Sequence, residues 1–270
     1  MPYAEIGIFG GSGFYSLIPG FEQVEIDTPY GPPSDALAIG EIDGRGVAFM
    51  ARHHSRHTIP PHRINYRANL WALHSVGVTR VIAPCAAGSL KPYIQPGHFV
   101  VCDQFIDRTR GRKDTFFDGP DVVHVSTADP YCPELRTLAV KTGAAAGLTM
   151  HPAGTMVVIE GPRFSTRAES AFHSSQGWTS VSMTQYPEVV LARELQMCFA
   201  GIALITDYDS GIEEAAPVSA AEVIRVFGDS NDKLRQLLVT LVSQIPTERG
   251  CECGSALTGA RLTNESEPEG

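Results

Sequence analysis

The chain has 270 residues, 43% of them hydrophobic and 19% charged, with a formal net charge of −9. That length allows one large α/β domain with a substantial core, and the acidic balance argues against an extended nucleic-acid surface, which concentrates Lys and Arg. No apolar run approaches membrane-spanning length and Met1-Pro-Tyr-Ala-Glu5 lacks a signal peptide's basic-then-apolar pattern, so the expectation is a cytoplasmic protein with no membrane partner.

Glu5-Ile-Gly-Ile-Phe9 reads as a first strand, followed at once by Gly10-Gly-Ser-Gly13. A glycine turn there lets backbone N–H groups approach an anion, with the Ser12 hydroxyl between Gly11 and Gly13. It is neither a dinucleotide fingerprint nor a P-loop, since Ser16 takes the sixth position and no lysine follows. Phe21 to Gly46 alternates short extended segments with turns and predicts antiparallel strands beside the main sheet. The apolar strand Val47–Ala51 ends in Arg52-His-His-Ser-Arg-His57. His53, His54, His57 and His62 suggest a metal, but the interleaved Arg52, Arg56 and Arg63 disfavour a cation and favour an oxyanion, so Arg52 and His53 are assigned to phosphate.

Asn65 to Val76 has helical spacing, with Leu70, Trp71 and Leu73 facing a core. Val78–Ala83 predicts a strand closed by the small-residue turn Pro84-Cys-Ala-Ala-Gly-Ser89, and Cys85, with no base beside it, reads as a structural thiol. Phe99–Asp103 continues the sheet, Arg108 to Asp121 is a charged surface or interface loop, and Pro133 to Gly147 is an amphipathic helix.

Gly154 to Asp209 carries the densest signal. A strand ends at Glu160-Gly-Pro-Arg-Phe164-Ser165, a second at Met183-Thr184 with Pro187 opening a helix, and a third, Phe199–Ile205, delivers Thr206-Asp207-Tyr208-Asp209. Three successive strand ends therefore converge on one cavity. Asp207 and Asp209 stand two apart on a strand, which places both on one face; taken alone, the pair reads better as a turn with solvated aspartates. Ser219-Ala-Ala-Glu222 is a capping box opening one long helix towards Ile245. Residues 1–249 form the domain, and 250–270 lose periodicity and are expected to be disordered. Of the six cysteines, Cys85, Cys102, Cys132 and Cys198 read as reduced core thiols. Cys251-Glu-Cys253 offers two thiols with no matching pair, so no zinc site is expected.

These residues together resemble the 5'-methylthioadenosine phosphorylases, trimeric members of the purine nucleoside phosphorylase superfamily. The resemblance runs from about Ile6 to near Ile245 and rests on Ile-Phe-Gly-Gly-Ser-Gly, Ala-Arg-His, Ala-Ala-Gly-Ser, Ile-Glu-Gly-Pro-Arg-Phe-Ser, Met-Thr-x-x-Pro-Glu and Thr-Asp-Tyr-Asp. It implies a single α/β domain with a central mixed β-sheet flanked by helices, a homotrimer, inorganic phosphate as co-substrate, and no metal or organic cofactor. By position, Gly11, Ser12, Gly13, Arg52, His53, the Ala86 backbone and Thr184 would hold phosphate, and Met183 would support the ribose. Phe164 and Ser165 would contact the purine, Asp207 and Asp209 its N7 and exocyclic amine, and His57, Ala220 and Val223 the 5'-substituent. His124 would come from the neighbouring subunit. Where many members have threonine in the phosphate turn this chain has Cys85, which leaves a backbone contact only.

The chemistry follows from these residue types. Phosphate beneath C1' would stabilise and then capture an oxocarbenium-like ribose, while Asp207, kept protonated by burial and a neighbouring carboxylate, would donate to N7 of the leaving purine. The expected reaction is phosphorolysis of 5'-methylthioadenosine to adenine and 5-methylthioribose 1-phosphate. A 5'-halo-5'-deoxyadenosine, adenosine or 5'-methylthioinosine stand as alternative substrates. A hydrolytic nucleosidase would not need the Arg52–His53 clamp, and a non-catalytic nucleoside-binding protein would not need both clamp and acid.

Overall fold

A computed structural model of the chain describes residues 4–10, 20–210 and 217–261. One mixed sheet organises it. Its long axis is β5 (Arg80–Ser89) paired in parallel with β11 (Cys198–Tyr208), both nearly buried from end to end, which is why their sequences read as apolar runs without alternation. β1 (Ile6–Gly10) lies parallel to β5 over residues 80–82 and to β4 (Arg45–Ala51) on its other side. Outside β4, β3 (Leu37–Ile42) and β2 (Glu22–Val24) run antiparallel, as the turn-rich sequence predicts. Beyond the far end of β5 the order continues through β10 (Ser180–Ser182), β9 (Thr155–Ile159) and β7 (Gln104–Arg108), while β11 carries β6 (Phe99–Val101) and then β8 (Met150–His151).

The expected turn at Pro84–Ser89 is instead the second half of β5. Pro84 has no N–H to give a ladder, and it sits where pairing to β1 has ended at Ile82 and pairing to β10 has not begun at Gly88. One edge of β5 thus changes partner at the proline, and that gap exposes the strand to a cavity.

Helices cover both faces. α1 (Tyr66–Ser75) and α4 (Gln185–Glu194) bury Leu70, Leu73, Val189 and Leu191 on one side; α2 (Pro133–Ala145) and α6 (Asn231–Gln244) bury Leu135, Leu234, Leu237 and Leu241 on the other. Each such leucine contributes roughly 1.5–3 kcal/mol by leaving water. Asn65 starts α1 by accepting from the Ala68 N–H, and Thr166 opens α3 (Arg167–Ser175) with a complete capping box to Glu169. The long helix expected after Ser219 is two helices, α5 (Ala220–Asp229) and α6, broken at Ser230. The break falls in Gly228-Asp-Ser-Asn231, residues that stop and restart helices.

The expectation of disorder from residue 250 is also corrected as far as residue 261. A 3₁₀ turn at Glu252–Ser255 buries Cys253, the Gly250 N–H donates to Glu134, and the His124 N–H donates to the Ala260 carbonyl. Upstream, Arg80 bridges Glu5 and the Thr247 carbonyl, and Arg45 bridges Glu5 and the Ile245 carbonyl, tying the end of the domain to its first strand. Among the described residues no helix is long and apolar enough to cross a membrane.

Candidate active site

At the C-terminal ends of β5, β10 and β11 lies a cavity of about 870 Å³. Its base wall is made by β11. The β5–β11 register slips between Ile205 and Asp207, a bulge that puts Asp207 opposite Gly88. A methyl group at Gly88 would come 2.9 Å from Asp207 Oδ1 and 3.2 Å from Asp209 Cβ, so both aspartates stand over this glycine and share one face, as their spacing predicts. Burial pushes the Asp207 carboxyl up to about 6; the Thr206 hydroxyl, donating at 2.8 Å, opposes this and Asp209 adds to it. Burial is therefore the main cause, with the neighbouring carboxylate secondary. Burial likewise raises Asp209, against the pull of the nearby Ser165 and Ser170 hydroxyls, the Ser210 N–H and His173. Asp209 Oδ2, Ser165 Oγ and Ser170 Oγ are buried without a well-formed hydrogen bond among the described residues, so polar capacity is left at this end.

The opposite end differs from expectation. Arg52, 3% exposed, forks onto Glu188, with Nη2 3.0 Å from Oε2 and Nε on Oε1, and its Nη1 donates to the Pro84 carbonyl at 3.2 Å. Glu188 is wholly buried on α4; burial raises its carboxyl and Arg52 draws it back. The guanidinium is thus an already compensated charge with spare N–H groups, not a free cation. His53 is also not cationic: burial, then Arg52, push its imidazole down to about 4. Its Nδ1 lies 2.9 Å from the Ile59 carbonyl, which only accepts, so Nδ1 carries the proton and Nε2 keeps its lone pair. A neutral His53 can meet a phosphate only through a protonated oxygen. Thr184 precedes α4 without making a side-chain cap, and continuous helical geometry begins after Tyr186, which leaves the Thr184 hydroxyl for the cavity. Cys85 is buried, accepts from Gln185 Nε2 at 3.5 Å, and has its thiol pushed up by burial, so it is no nucleophile.

Between the ends, Met183 packs on the turn after β9. Gly161 has φ +68°, and a methyl group there would meet Met183 Sδ at 2.6 Å, so glycine is required twice over. Arg112 pins this corner from below: it donates to the carbonyls of Met183 (2.9 Å), Tyr186 (2.6 Å) and Glu160 (3.0 Å). The loop read as a charged surface excursion therefore supplies a buried strut. The remaining wall is apolar and comes from α5, with Ala220, Val223, Ile224 and Phe227, beside Asn231 and His57.

Arg52, His53, His57, Ala86, Phe164, Ser165, Met183, Thr184, Asp207, Asp209, Ala220 and Val223 all line this one cavity. Gly11, Ser12 and Gly13 lie outside the described residues, and His124 is exposed on the 109–132 loop, away from the cavity lining. The sequence reading missed Glu188, although Pro187-Glu188 was in view, because a helical glutamate ordinarily reads as solvated. It missed Arg112 because nothing local marks an arginine that caps distant carbonyls.

A mixed sheet whose strand ends carry two raised carboxyls at one end of a cavity and hydroxyl and guanidinium donors at the other fits an enzyme of the nucleoside phosphorylase class. A model of the phosphorylase superfamily matches residues 5–243, and the chain belongs to that superfamily. The purine nucleoside phosphorylase of Streptomyces coelicolor is 54% identical over 268 residues, 95% of each chain. The S-methyl-5'-thioadenosine phosphorylase of Thermofilum pendens is 53% identical over 264 residues, 97% of this chain and 100% of the other. Among solved structures, methylthioadenosine phosphorylase from Schistosoma mansoni in complex with adenine superposes with a TM-score of 0.90 at 34% identity, covering 96% of this chain and 99% of that one.

Proposed function

We propose that the chain cleaves 5'-methylthioadenosine by phosphorolysis, giving adenine and 5-methylthioribose 1-phosphate, with inorganic phosphate as co-substrate and neither metal nor organic cofactor in the reaction. The observation that carries this reading is the pair of raised carboxyls, Asp207 and Asp209, at one end of a cavity whose other end presents Thr184, Ala86 and the spare N–H groups of Arg52. An oxygen of phosphate forms the bond to C1' as the C1'–N9 bond breaks, the bonding electrons leave with the purine, and Asp207 supplies the proton at N7. Asp209 accepts from the 6-amino group. Because Glu188 already compensates Arg52, the anion must draw on backbone amides, and Gly11 to Gly13 with Ser12 remain assigned to that task. The apolar wall of α5 suits a methylthio group. The functional unit is a homotrimer in which His124 reaches the neighbouring site.

A second reading has its own support. Asn231 Oδ1 is buried, lacks a partner among the described residues and lines the cavity beside Phe227, so a 5'-hydroxyl would satisfy it where a methylthio group would not. Adenosine is then the substrate, in keeping with the name of the Streptomyces relative. Release of free base, with and without phosphate, from 5'-methylthioadenosine, adenosine, 5'-methylthioinosine and 5'-chloro-5'-deoxyadenosine separates the readings. Phosphate-dependent release that is fastest from methylthioadenosine supports the first; release without phosphate makes the protein a nucleosidase and overturns both.

A further inference from the structure

Four cysteines that the sequence scatters over 121 positions meet in space. Cys132 caps the N-terminus of α2, Cys198 is the first residue of β11, and Cys251 and Cys253 flank the start of the 3₁₀ turn; their four sulfurs all lie within 4.8 Å of one another. Cys251 Sγ is 3.6 Å from Cys132 Sγ and 3.4 Å from Cys198 Sγ. The missing partner pair for Cys251-Glu-Cys253 is thus supplied by two residues that read as ordinary core thiols.

We propose that these four thiolates bind one divalent cation of borderline softness, Zn²⁺ by first preference, in a closed structural site. Zinc–sulfur bonds of about 2.3 Å in a tetrahedron place the sulfurs about 3.8 Å apart, close to the separations above. Sulfur bonded in pairs would lie about 2 Å from one partner, whereas Cys251 stands similarly far from two. The surroundings suit a thiolate cluster. The Leu135 N–H donates to Cys132 Sγ at 3.5 Å from the positive end of α2, and the Arg249 guanidinium packs over Gly254, where a methyl group would lie 2.7 Å from Nη2. Three of the four cysteines are buried and Cys251 is half-buried, so the cation would have no open coordination position for water.

The same segment also needs a fastening. Among residues 250–261 only Cys253 and Ala260 are buried, which is little apolar contact to offset the entropy of ordering the stretch. A cation drawing Cys251 and Cys253 onto α2 and β11 supplies it. Binding exchanges thiol protons for the metal and involves no oxidation. The role is structural: Cys198 and Asp207 stand nine residues apart along β11, about 30 Å. The effect nevertheless reaches the 109–132 loop, because residues 260 and 261 bond to His124 and Val123.

The test is metal content of the full-length protein, purified with reductant and without chelator, alongside Co²⁺ titration of metal-stripped protein and a Cys251→Ser/Cys253→Ser variant. The expected result is about one zinc per chain, a thiolate-to-cobalt charge-transfer band that zinc abolishes, and at least a tenfold loss of bound zinc in the variant. Should the variant be insoluble, the cobalt spectrum of the unaltered chain decides alone. Metal-free protein that gives no cobalt–thiolate band overturns the proposal, as does an intact mass short of the hydrogens lost to disulfides and restored on reduction.

Discussion

At the Arg52 end of the cavity a cation and an anion are already paired, and the adjacent imidazole is neutral; at the Asp207 end two carboxyls stand together, Asp209 buried and Asp207 half-buried, with no ion pair among the described residues. The first end is finished before substrate arrives and offers directional donors to an anion that brings its own charge. The second is unfinished, and its strain takes the form of carboxyls that hold protons unusually tightly. Rate should therefore depend most on the unfinished end and stability most on the finished one.

The sharpest break is Asp207→Ala, expected to lower kcat/KM by about 10²–10⁴ with an unchanged circular-dichroism spectrum. If the variant keeps most of its kcat/KM, another group is the acid. Arg52→Ala should act on stability as well, by about 3–5 kcal/mol in urea unfolding, because it leaves Glu188 buried and unpaired. Replacing both partners, Arg52→Met with Glu188→Leu, should recover much of the stability and none of the turnover.

Titration separates the ends by sign. Asp207 has a folded value near 6 against 3.8 unperturbed, so its contribution to stability is full below pH 4 and is lost as pH rises through 6. His53 has a folded value near 4 against 6.5, so its contribution is present above 6.5 and is lost as pH falls through 4. Between pH 4 and 6.5, Asp207→Asn should remove a stability term that falls with pH and His53→Gln one that rises. Two variants with the same slope difference from the parent would contradict this. The smallest effect is expected at Ser219→Ala, which removes the N-cap of α5 and costs about 1 kcal/mol of local stability. It should raise KM for the nucleoside with little change in kcat, since α5 forms only the apolar wall.

Much of this was legible in the chain. Strand ends after short apolar runs and the i, i+2 aspartates pointed to one cavity, and the family resemblance supplied the rest of its expected lining, His57, Ala86, Ala220 and Val223 included, so that twelve of the residues named from the sequence line it. What escaped shares one property, dependence on sequence-distant partners. Pro84 looks like a turn until the change of neighbour along β5 is known. Glu188 and Arg52 are 136 positions apart, Cys132 and Cys251 are 119, and no local pattern announces either meeting. The break at Ser230 is the exception, since Gly228-Asp-Ser-Asn was readable and was passed over in favour of an uninterrupted period.

The pairing of β5 with β11 also bears on how the chain is made. The central strand emerges by residue 89, yet its longest partner begins only at residue 198. A nascent chain, or any fragment ending before Cys198, carries Val81-Ile-Ala-Pro-Cys-Ala-Ala87 as an edge with unmet backbone groups. Late closure of this kind is slow and invites association between incomplete chains. Truncations in that interval should therefore be recovered as aggregates, and full-length yield should rise when synthesis is slowed or holding chaperones are supplied.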